Sequence, residues 1–150
     1  MVVVAPRGGS FGGSDSPVRL RDLADLPLIM PSLPHSNRRL VEQAAIQHGA
    51  RLRPAFEVDS VALTKALVKR GLGCTILTFA AVAAEIAAGE LDFRPIHRPP
   101  LLSTVAIARS QEARPAWLAA TLFNMLREGI TELVDSGAWA GARIIATRAT

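Results

Sequence analysis

Residues 57–85 read EVDSVALTKALVKRGLGCTILTFAAVAAE, and this stretch decides the fold class. It begins inside a strand, Pro54–Val58, followed by Asp59 and Ser60, both residue types that cap helices. Leu63, Leu67 and Val68 then recur at helical spacing until Gly71, where the period stops. After the Gly-Leu-Gly turn, Cys74–Leu77 is a second short apolar run, and Phe79–Ala88 is an alanine-rich helical stretch closed by Gly89. Strand, helix, strand and helix in so short a span describe a βαβ unit, two parallel strands joined by a right-handed crossover. In such sheets ligands sit beyond the carboxyl ends of the strands, where helix amino termini present unpaired N–H groups. The segment therefore points to a small-molecule or anion pocket rather than to a catalytic machine.

The flanks continue the alternation. Val2–Ala5 has the character of a buried strand, and residues 6–17, PRGGSFGGSDSP, form a loop rich in Gly, Pro and Ser. Leu20–Leu26 suits one or two helical turns, and Leu28-Ile29-Met30 is a strand bounded by Pro27 and Pro31. Ser36 or Asn37 then caps a helix to about His48, with Leu40, Val41, Ala44 and Ala45 on one face and Gly49 as its stop. Downstream, Leu91–Pro95 reads as an edge strand and His97–Pro100 as a connector. Ser103–Ala108 alternates as a strand would. A helix from about Arg114 to Asp135 repeats Leu118, Leu122, Met125 or Leu126, Ile130 and Leu133 at three- to four-residue spacing, and Gly137 ends it.

Composition narrows the function classes. A chain of 150 residues, 49% hydrophobic and 20% charged, is globular and builds one domain or two small lobes. No apolar run approaches the roughly 18–20 residues of a bilayer span, and MVVVA is too short for a signal-peptide core. The single cysteine, Cys74, excludes an internal disulfide and fits a reducing compartment, so a cytoplasmic protein without membrane partners is expected. The formal charge of +4 invites a nucleic-acid reading. The basic residues other than Lys65 and Lys69 are Arg, however, scattered from Arg7 to Arg148, and no Tyr is present for base stacking.

Catalytic patterns are missing. Cys74 has no partner signature with His35, His48 or His97 and reads as a small buried hydrophobe. The His, Cys and carboxylate spacings match no metal site, so neither metal nor cofactor is expected. PRGGSFGGS resembles a phosphate loop in composition only. Glu42, Glu57 and Glu85 are scattered, as on solvated faces. The candidate binding residues stand at strand-to-helix junctions instead. Ser32, His35 and Ser36 precede or open one helix, and Asp59 and Ser60 precede the next; ordinary capping is the alternative account of each.

The order LADLPLIMPS, RRLVEQA, HGARLRPAFEVDS, ALVKRGLGCTIL, AAEIAAGELDFRPI and TVAIAR, followed by a long helix, resembles the effector-binding domain of LysR-type transcriptional regulators. It is most similar to members of the nitrogen-assimilation-control type, from about Val2 to Leu133. The resemblance implies an α/β, type 2 periplasmic-binding-protein-like fold with two lobes and the effector in the cleft between them. It adds Gly73, Cys74, Thr75 and Ile76, after the glycine turn, as cleft-lining residues. Regulators of this kind carry a helix-turn-helix and the first half of lobe one before the matching region, so the resemblance implies an incomplete first lobe. On that basis residues 1–29 end lobe one and form the hinge, 30–97 are lobe two, 98–137 return to lobe one and 138–150 are a tail. The expected function is sensing of a small anionic metabolite within a homodimer or higher oligomer, with DNA contacted only through a helix-turn-helix absent from this chain. A transport solute-binding protein or a small stand-alone α/β enzyme is the alternative.

Overall fold

The apolar runs of the first hundred residues assemble into one sheet. The computed structural model describes residues 1–9, 16–97, 100–110, 112 and 114–145. Its strands are β1 (Val2–Pro6), β2 (Ile29–Met30), β3 (Phe56–Glu57), β4 (Thr75–Leu77) and β5 (Leu91–Pro95). β1 runs antiparallel to both its neighbours, with Val3 opposite Ile76 of β4 and Arg94 of β5. β2 pairs in parallel with β3, Ile29 opposite Phe56. A parallel bridge between Leu28 and Cys74 joins that pair to β4, giving the order β3–β2–β4–β1–β5. The two strands of the βαβ segment thus flank β2 and do not touch each other.

Side-chain alternation along these strands sorts the core onto two faces. Val3, Ala5, Leu28, Met30, Cys74 and Ile76 pack on one side with Leu20, Leu23 and Val41. Val2, Val4, Ile29 and Leu77 pack on the other with Val68, Val82 and Leu91. Because both faces are covered there, β1, β2 and β4 read as largely apolar runs, while β3 and β5 keep exposed or charged positions. The covering elements are α1 (Ser36–Gln47) and the 3-10 turn Leu20–Asp25 on the first face, and α2 (Val61–Lys69) on the second.

Three sequence expectations change. The helix expected over 79–88 is a 3-10 turn, Phe79–Ala81, followed by α3 (Ala83–Ala87). Val82 between them is fully buried at φ −129°, ψ 3°, so packing of one β-branched side chain overrides the helix propensity of the alanines. Ser103–Ala108 forms no ladder, since alternation supplies a side-chain pattern but not a neighbouring strand. Residues 1–29, expected at the end of lobe one, share a sheet with residues 30–97: β1 lies between β4 and β5, and the chain divides after Ser103. Residues 10–15 of the glycine-rich loop and 98–99 of the connector lie outside the described residues.

The second unit, from Thr104, holds α4 (Ala116–Asp135). Its capping residue is Pro115, and the Arg109 guanidinium lies 5.7 Å from the Phe123 ring centroid. Trp117, Leu122, Met125 and Leu126 along α4 are exposed, unlike the buried aliphatics of the first unit.

Candidate effector site

β2, β3 and β4 run in one direction, so their carboxyl ends and the start of α1 and α2 meet along one edge of the sheet. Ser32 follows β2 and Asp59 follows β3. The Ser32 backbone N–H and hydroxyl both donate to Asp59 Oδ1, each at 2.8 Å. These two hydrogen bonds, backbone first, hold the exposed Asp59 carboxyl below the usual carboxylate range, with His35 acting in the same direction. A carboxylate whose pKa is depressed on folding gains its stabilisation above its ordinary value and loses it as pH falls through the lowered one. The Ser32–Asp59 link therefore opens only on acidification below the usual aspartate midpoint.

The junction residues divide their tasks differently from the sequence reading. His35, not Ser36 or Asn37, caps α1: its Nδ1 accepts from the Asn37 N–H at 3.3 Å. The His35 N–H donates to Ser32 O at 3.0 Å, closing a tight turn over Pro34 that leaves His35 as the last extended residue. Ser36 is then the first helical residue and is exposed. At the second junction Ser60 is the cap, accepting from the Leu63 N–H at 3.3 Å, while Asp59 is engaged with Ser32.

Gly73, Cys74, Thr75 and Ile76 do not join this group. All four are buried, Gly73 and Cys74 just before β4 and Thr75 and Ile76 within it. Cys74 donates its N–H to Pro27 O at 3.0 Å and accepts from the Ile29 N–H at 2.8 Å, which places it at the opposite end of β2 from Ser32. The residue of this run that reaches the carboxyl edge is Thr78, half-buried, which precedes the Phe79–Ala81 turn. Burial pushes the Cys74 thiol up to about 11. Against an ordinary value near 9, its thiolate fraction at pH 8 falls about a hundredfold. Alkylation by iodoacetamide should accordingly be about a hundredfold or more slower in the folded protein than in urea; equal rates would contradict the burial.

Sequence reasoning missed Arg38. It lies on the inward face of α1 with Val41 and Ala45, and its side chain is only 5% exposed. Its Nε meets Glu42 Oε1 at 2.6 Å, and its Nη1 donates to Pro31 O at 3.0 Å and to Glu57 Oε1 at 3.4 Å. Glu42 and Glu57, read as solvated, are thus partners of a buried guanidinium. Glu85 is paired as well, with Lys65, which also donates to Ala81 O and holds the Glu85 carboxyl below its usual range. The available signal for Arg38 was its place in the i, i+3, i+7 apolar period, with a carboxylate at i+4.

Among the described residues no three His, Cys, Asp or Glu side chains are grouped to hold a metal ion, and no helix is long and apolar enough to cross a membrane. The family model for the LysR substrate binding domain matches residues 1–131. The chain belongs to this family. The HTH-type transcriptional regulator BbuR of Bordetella bronchiseptica is 29% identical over 126 residues, covering 84% of this chain and 39% of that protein. The RuBisCO operon transcriptional regulator of Acidithiobacillus ferrooxidans is 34% identical over 85 residues, 57% of this chain and 26% of that one. The chain thus spans at most about two fifths of the length of these curated relatives. Among solved structures, the C-terminal domain of a probable LysR family regulator from a Rhodococcus species superposes with a TM-score of 0.67 at 26% identity, covering 84% of this chain and 62% of that one. The regulatory domain of Synechocystis CcmR, in complex with 2-PG, gives 0.73 at 23% identity, covering 85% and 61%. The fold of this LysR substrate-binding chain is accordingly the α/β, type 2 periplasmic-binding-protein-like fold.

Proposed function

We propose that this chain is the effector-sensing part of a LysR-type transcriptional regulator of the nitrogen-assimilation-control type, and that it binds a small anionic metabolite at the Ser32–Ser60 edge of the sheet. The observation that carries this reading is the pair of Ser32 donors on one oxygen of Asp59. A backbone N–H and a hydroxyl converging on a carboxylate oxygen form a ready receptor for an effector carboxylate or phosphate. Asp59 holds the receptor in the effector-free state, and the incoming anion takes its place. His35, Ser36 and Ser60 border the same edge, at the positive ends of the α1 and α2 dipoles. That a neighbouring fold, CcmR, holds 2-PG supports the same use here.

On this reading the protein has no catalytic residues and acts by changing conformation, which a ligand can drive only through its different affinity for two states. The regulator is a cytoplasmic homodimer or higher oligomer. DNA contact is left to a helix-turn-helix elsewhere in the protein, in keeping with the name of BbuR as an HTH-type regulator. A thermal-shift screen of organic acids tests the proposal, since a binder raises the melting temperature by mass action. A hit should bind Asp59→Ala more tightly than wild type, because the competing carboxylate and its charge are gone. Absence of any stabilising acid in both proteins would sink the reading.

A further inference from the structure

The buried guanidinium of Arg38 contacts the two strand ends that carry the Ser32–Asp59 pair. Pro31, whose carbonyl it binds, immediately precedes Ser32, and Glu57 stands two residues before Asp59. Glu42, one turn further along α1, accepts from Nε and fixes the direction of the fork. One side chain therefore ties the first turn of α1 to the carboxyl ends of both β2 and β3. β2 and β3 share the Ile29–Phe56 and Met30–Glu57 pairs, and their last ladder bond runs from the Val58 N–H to Met30 O at 2.9 Å, so beyond it the approach of Ser32 to Asp59 depends on side-chain contacts. We propose that Arg38 is the positioning residue of the effector site, setting the distance between Ser32 and Asp59 by holding Pro31 and Glu57 at once.

A planar fork with several fixed donors can hold three acceptors on three segments, as a lysine cannot. The arrangement also explains why a cation is tolerated inside the apolar period of α1: Glu42, Glu57 and the Pro31 carbonyl satisfy it. The inference rests on the reading of this edge as the effector site, but its test needs no effector and can fail separately from a metabolite screen.

The test is amide hydrogen exchange, read by NMR on the same chain. Arg38→Met should cost the Ser32 amide several-fold in protection, while the amides of Val3 and Val4 in β1 keep theirs once corrected for global stability. Arg38→Lys should restore part of the loss through the Pro31 carbonyl. Unchanged Ser32 protection in Arg38→Met, or a loss spread evenly over β1 and β2, would overturn the proposal and leave Arg38 an ordinary structural residue. Should Arg38→Met fail to fold, Glu57→Gln answers the same question from the exposed arm of the network. It should loosen the Ser32 amide selectively, and no selective change there would likewise refute a positioning role.

Discussion

Replacing Gly73 with alanine is expected to destabilise the protein by about 3 kcal/mol or more. A Cβ at Gly73 would stand 2.3 Å from Pro27 O and 3.1 Å from Ile29 Cγ1. The carbonyl cannot move aside cheaply, because it accepts the Cys74 N–H, and the next ladder bond runs from the Ile29 N–H back to Cys74 O. Relieving the collision means parting β2 from β4, the junction that unites the parallel and antiparallel halves of the sheet. Gly71 is the internal control. It sits at φ +77° with nothing within 4 Å of its would-be Cβ, so Gly71→Ala should cost only the backbone term of about 1–2 kcal/mol. Urea denaturation of the two variants decides it. Equal losses would mean that β2 and β4 do not approach as closely at Gly73 as described.

That junction also marks where the sequence could and could not be read. β1, β2 and the Cys74–Leu77 segment were visible as apolar runs, because burial on both faces leaves few polar positions, whereas β3 and β5 carry Glu57, Asp92 and Arg94. The same property hides where a strand's carboxyl end lies. Gly73, Cys74, Thr75 and Ile76 follow a glycine turn and resemble a cleft wall, yet they precede or form β4 and are sealed between its neighbours. Thr78, a few residues on, is the one at the edge. Capping residues were legible as a class but not singly. Ser36, Asn37, Asp59 and Ser60 all suit a cap, and only the three-dimensional turn over Pro34 assigns the first of these caps to His35. Asp59 was located correctly at its junction, but its bond to Ser32 spans 27 positions and has no local signature. Arg38 was the opposite case: its pattern was present in the helix period and was passed over because charged residues are expected outside.

Truncation of Ile29 to alanine should cost about 2–5 kcal/mol, and Ile29→Val about 0.5–1.5 kcal/mol. Ile29 is fully buried among Val2, Val4, Val68, Leu77, Val82 and Leu91, the second of the two cores, where both faces of the sheet leave little room for collapse around a void. Combining Ile29→Ala with Gly73→Ala separates the two obstacles met by a Cβ at residue 73. Shortening Ile29 removes the contact at 3.1 Å but leaves the carbonyl at 2.3 Å. If the backbone is the true barrier, the two losses add, with a coupling below about 1 kcal/mol despite the contact between the residues. If the double variant is instead nearly as stable as Ile29→Ala alone, the isoleucine was the obstacle and the main chain can yield. The glycine would then be required by the packing of one side chain and not by the meeting of β2 with β4. The expected result is additivity, because a side chain can change rotamer whereas a carbonyl held in a ladder cannot.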